Sequence, residues 1–281
     1  MISAPESSAH RHLPDINQLS IITATILLTY SLVPLIKLPE NFATRLITFQ
    51  IIGFVYSINL TLGNVISLLV SISAAMGMDW MIRSHPAGRN IISFPHWILP
   101  GLAAWVIGIP LNSLEMDIRW WGVFVLGGVL LVLVFTAEYI IVDPNDTRTA
   151  PAIVILTAVS FALFLIICIS LRASNFRLYL VLPSLAVAVF FASLRTLFLR
   201  TNGRWCFNWA AVITILVGQI SVGLHYLPIS PIRFGLVLLG TAYALTSLAG
   251  SIEEGNTWRS SWLEPVIMMI LFISLALIVK G

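Results

Sequence analysis

The chain has 281 residues, of which 58% are hydrophobic and only 10% charged, with a mean hydropathy of +0.97. Soluble domains carry roughly a quarter charged residues, so a water-soluble globule is excluded. The net charge of +3 comes from scattered single residues with no basic block, so nothing in the sequence provides the electrostatic footprint of a nucleic-acid-binding protein.

A polar stretch, 1–18, with Glu6, Arg11 and Asp15, precedes a single transmembrane helical domain at 19–281. A span needs roughly 20 mostly apolar residues, because the hydrocarbon core is about 30 Å thick and a helix rises about 1.5 Å per residue. Runs that meet this fall at 19–36, 54–77, 97–113, 120–142, 152–171, 178–198, 209–227, 232–250 and 262–279, which predicts nine spans, with eight and ten as alternatives. The first run is longer than a signal-peptide core and has no A-x-A site behind it, so it reads as a retained span. The stretch 46–78 is too long for one upright span and short for two. It is read as one long span, with 42–53 lying along the interface before it. The third span holds Pro100, Gly108 and Pro110 and is short enough to tilt or re-enter, as is the ninth. Backbone groups in lipid must bond internally, and segments such as 123–135 are apolar throughout rather than alternating. The expected fold is therefore all-α, a polytopic transmembrane helix bundle whose first partner is the lipid bilayer.

All connections are short, the longest running from Asp79 to His96. The face that receives the N-terminus and the loops after even-numbered spans is called the near face. Lys and Arg divide almost evenly between the faces, so the positive-inside rule does not orient the chain. Trp80, Trp97, Trp205, Trp209, Trp258 and Trp262 fall at near-face span ends and Trp120 and Trp121 at the far face, as an interfacial belt requires. Cys168 and Cys206 fall toward opposite faces, which argues against a disulfide. With no CxxC and no His pair at ligand spacing, neither a metal nor a cofactor is expected. GxSxG, HExxH, P-loop, GxGxxG and Asp-rich prenyl-diphosphate motifs are absent from the sequence.

Charges inside spans are expensive and mark functional candidates. Glu138 and Arg195 each lie about a turn inside the near-face end of their spans, at depths that allow pairing. The alternatives are a bundle-stabilising ion pair and separate snorkelling to the headgroups. Asp79, Arg83, His85 and Arg89, with His96 at the start of the third span, bring acid, base and imidazole groups to the same face as Glu138, Arg195, Glu253 and Glu254. That is the raw material of a general acid–base or phosphate-binding site, and equally of solvated loops. Ser57, Thr61, Asn64, Ser67 and Ser71 lie close to one helical face of the second span, as a cavity lining or an interhelical hydrogen-bonding stripe. Gly127-Gly128, and Gly240 four residues before Ala244, read as helix-packing sites. Asp143-Pro-Asn-Asp146 reads as a turn.

The run Gly77-Met-Asp79-Trp80-Met-Ile-Arg83-Ser-His85-Pro86, with His96-Trp97-Ile-Leu-Pro100, Trp120-Trp121 and Ala137-Glu138-Tyr139, resembles an uncharacterised bacterial family of multi-spanning membrane proteins of unknown function. The resemblance covers 77–139, implies a bacterial inner membrane and brings no activity with it. It falls on the near-face cluster and so points to Asp79, Arg83, His85, His96 and Glu138, alongside Arg195. Three functions remain open. A structural or accessory membrane component fits the short loops. An enzyme on a lipid-linked substrate needs those residues to meet in one pocket open to the headgroups. A small-molecule transporter needs the second-span stripe and Glu138–Arg195 to border a cavity reaching the midplane.

Overall fold

A computed structural model describes residues 14–36, 44–51, 54–85, 94–144, 146–201, 203–255, 257 and 261–279, with residues 44–61 described by backbone alone. Arg11, Lys37, Arg89, Trp258, Arg259 and Lys280 lie outside these residues. In chain order the helices are α1 (Ile16–Leu32, continued by a 3-10 turn Val33–Leu35), α2 (Leu62–Ser84), α3 (Phe94–Ser113), α4 (Ile118–Ile141), α5 (Thr149–Ala173), α6 (Leu178–Arg200), α7 (Phe207–His225), α8 (Pro231–Glu253) and α9 (Leu263–Ile278). The bundle is all-helical. Among the described residues, eight helices are long and apolar enough to cross a membrane, and α9 is a shorter apolar helix.

The helix starts follow local chemistry. Asp15 caps α1 by accepting from the Asn17 amide at 2.9 Å, so this helix starts ahead of the expected 19. Asp117 caps α4 by accepting from the amides of Arg119 and Trp120 at 2.9 and 3.1 Å. Each cap satisfies donors that a helix start leaves unpaired. Pro231 opens α8 at a position where its missing N–H costs nothing.

The second span departs from expectation. It begins at Leu62 rather than 54 and extends to Ser84. Ahead of it, β1 (Thr44–Ile51) and β2 (Phe54–Thr61) form an antiparallel hairpin in the register Thr44↔Thr61 to Ile51↔Phe54, where an interfacial segment (42–53) and the first turns of the span were expected. The reason is legible in the residues: Tyr56-Ser-Ile-Asn-Leu-Thr61 alternates apolar and polar side chains and is rich in strand formers. Ser57 and Thr61 therefore belong to the hairpin, and the helical stripe contracts to Asn64, Ser67 and Ser71.

Among the eight long helices, α3 and α8 are the most enclosed and α1 and α7 the least. α2 packs along α3, α6 along α7, and α9 along α8, with α5 bridging to α6 and α8. The glycines sit at close approaches. A Cβ on Gly127 would stand 2.7 Å from Ile107, and one on Gly240 2.8 Å from Phe272 of α9. Trp120 is not an interfacial anchor. It is fully buried, donates from Nε1 to the Leu111 carbonyl at 3.2 Å and stacks on Phe124.

Candidate functional site

Three helices bring one charged layer together near their near-face ends. Glu138 on α4 and Arg195 on α6 lie wholly out of reach of solvent, and the Arg195 guanidinium donates from Nη2 to Glu138 Oε2. The same carboxylate oxygen lies 2.8 Å from Nδ1 of His96, which sits in the first turn of α3 and is itself buried. One oxygen thus joins α3, α4 and α6. Phe198 offers its ring to the cation, 5.4 Å from the guanidinium carbon, so the remaining face of Arg195 meets a π surface rather than lipid.

Among the described residues, Glu138 Oε1 and Arg195 Nε and Nη1 have no hydrogen-bond partner, and neither does Trp97 Nε1 next to His96. Opposite charges in contact offset much of the cost of placing either in a low-dielectric layer. The chemistry available is that of a carboxylate orienting an imidazole, with a cation beside it.

The other expected residues make contacts of their own. Asp79 and Arg83 lie on the last turns of α2, not in a loop, and pair with each other at 2.6 Å with Arg83 largely exposed. His85 is buried and meets the Tyr139 ring edge-on at 4.6 Å, one residue along α4 from Glu138. Glu253 and Glu254 are held by other arginines. Arg200 bonds both oxygens of Glu254, at 2.9 and 3.4 Å, and Glu253 accepts from Trp209 at 2.8 Å with Arg204 at 3.8 Å. Of the residues expected on the near face, His96, Glu138 and Arg195 meet directly, three other arginines pair with Asp79, Glu253 and Glu254, and the buried His85 packs on Tyr139 beside Glu138. The α2 stripe is occupied by contacts between helices: Ser67 accepts from Asn112 Nδ2 at 3.0 Å and Ser71 donates to the Gly101 carbonyl at 2.8 Å. The Asp143–Asp146 turn closes through Asp146 N to the Asp143 carbonyl at 3.2 Å. Cys168 and Cys206 are both free thiols.

Sequence reasoning passed over Tyr30, whose hydroxyl donates to the Ala104 carbonyl at 2.6 Å and ties α1 to α3. It also passed over Arg172, which donates to the carbonyls of His225 and Leu227 at 3.0 and 2.8 Å and closes the far-face end of α7. The only signal for Arg172 was a cation at a helix C-terminus facing a loop of free carbonyls.

Residues 42–279 match the family described as protein of unknown function (DUF5656). The chain belongs to that family. The match to DUF5656 takes in the hairpin, the triad and all helices from α2 to α9, far beyond the 77–139 stretch that carried the resemblance. No curated protein and no solved structure matches the chain.

Proposed function

We propose that this DUF5656 protein is a structural or accessory component of a bacterial inner membrane, with its internal charges serving helix assembly. The observation that carries this reading is the enclosure of the triad. Glu138 and Arg195 have no exposed surface, and one Glu138 oxygen joins three helices. The α2 hydroxyls, which a transport path would need free, are engaged with α3. A second reading, an enzyme on a lipid-linked substrate, draws support from the unpartnered Glu138 Oε1 and Arg195 Nε and Nη1 beside His96.

A charge-free core separates the two. Replacing a buried pair by apolar residues of similar volume is commonly neutral or stabilising. The variant Glu138→Leu/Arg195→Met, expressed in the native host, is expected to melt like the wild type and to enter the same native-gel assembly. A variant that folds and assembles normally while a lipid-linked metabolite builds up in the membrane would replace the structural reading with the enzymatic one.

A further inference from the structure

A groove of about 810 Å³ runs between α1, α4 and α5 on the lipid-facing side of the bundle. Along α4 its wall extends from Phe124 to Ile140, about 24 Å at 1.5 Å per residue. That exceeds the roughly 15 Å one leaflet contributes to a 30 Å core. Gly128 and Ala152 keep the floor deep, and the far-face half is apolar throughout.

The near-face end differs. Arg148, immediately before α5, closes the groove there. Its amide donates to Asp146 Oδ1 at 2.9 Å, but among the described residues its guanidinium has no hydrogen bond or ion pair. Thr23 and Thr136 stand on the wall within that same half, and the buried Thr23 Oγ1 has no hydrogen-bond partner among the described residues. The groove is therefore apolar along its wall and ends beside a cation that has no side-chain partner among the described residues, the arrangement a single anionic lipid molecule presents in reverse. On this face Arg83 pairs with Asp79, Arg200 with Glu254 and Arg204, in the loop after α6, with Glu253, whereas the Arg148 guanidinium has no such partner among the described residues.

We infer that this groove holds one anionic phospholipid of the near-face leaflet, its phosphate on Arg148 and one acyl chain straightened along α4. Arg148 supplies a donor fork suited to phosphate oxygens, and the Asp146 carboxylate is turned to the Arg148 amide. The site does not depend on what the triad does.

The test uses the full chain in phosphatidylcholine discs containing a small fraction of phosphatidylglycerol with a photoreactive acyl chain, and adducts are mapped by mass spectrometry. Adducts are expected on the α4 and α5 walls of the groove. Arg148→Gln should lower their yield about fivefold, the worth of one basic residue at an anionic surface. Val129→Trp, which fills the groove from a half-exposed position, should lower it independently. Val187→Trp, in a separate groove of about 520 Å³ between α3, α5 and α6, should leave it unchanged. Adducts spread evenly over α7 and α9, equal labelling by a zwitterionic probe, or an unchanged yield in both Arg148→Gln and Val129→Trp would each overturn the proposal. So would a tightly held polyprenyl phosphate in place of phospholipid.

Discussion

Glu138 and Arg195 stand 57 positions apart on α4 and α6 and meet in a layer closed to solvent, sharing one carboxylate oxygen with His96 of α3. Removing one partner leaves the other charge buried and uncompensated, at a cost of about 3–5 kcal/mol. Glu138→Gln and Arg195→Ala are each expected to reduce accumulation of folded protein and to lower its melting temperature in detergent. Unchanged yield and melting in both would remove the triad from the account of stability.

The charges of this layer were legible because Glu138 and Arg195 interrupt long apolar runs. Their depth could be counted from the span ends. Which groups join them could not be read the same way. Asp79, Arg83 and His96 all flank one connection, but α2 runs to Ser84 and carries Asp79 and Arg83 into its own i,i+4 pair, leaving His96 alone to reach Glu138. The start of α2 was obscured for a related reason. Averaged hydropathy does not distinguish the period-2 alternation of β2 from the helix that follows it. Trp120 and Tyr30 carry the same lesson at single residues: a tryptophan or tyrosine near a span end looks interfacial until the neighbouring helix shows an acceptor carbonyl.

Asp117 gives the bundle a pH-dependent element outside its spans. The Arg119 side chain, first, and then the Trp120 and Arg119 amides hold its carboxyl below the ordinary 3.8. A carboxylate with a lowered folded-state pKa stabilises the fold above its unfolded pKa, and the contribution disappears as pH falls through the folded value. The wild type should therefore lose melting temperature relative to Asp117→Asn as pH drops below about 3.8, with the gap constant above pH 5. Melting curves of the two proteins in parallel over that range provide the check.

Gly108 and Gly122 form a matched pair of glycine tests. A Cβ on Gly108 of α3 would run into Ser67 Oγ of α2 and stand 2.8 Å from the Tyr30 hydroxyl of α1, whereas one on Gly122 of α4 meets nothing within 4 Å. Gly108→Ala overpacks a junction of three helices and should cost about 1–3 kcal/mol. Gly122→Ala only removes a flexible position from a helix and should be neutral or stabilising by up to about 1 kcal/mol. Equal melting temperatures for the two variants would contradict the close approach at Gly108.

Tyr30→Phe removes the hydroxyl that links α1 to Ala104 of α3 and to Ser67 of α2. The hydroxyl is buried and donates to the Ala104 carbonyl at 2.6 Å, while the ring keeps its packing in the variant. Interhelical hydrogen bonds in membrane proteins average about 0.6 kcal/mol and reach about 1.7 kcal/mol, so the loss should be modest in a melting experiment. Its effect should be local, because α1 is the least enclosed of the eight long spans. Hydrogen exchange should quicken in α1 with α6 and α8 unchanged, since their contacts do not pass through Tyr30. Uniform quickening across the bundle would mean that α1 is part of the cooperative core rather than a helix clipped to its side.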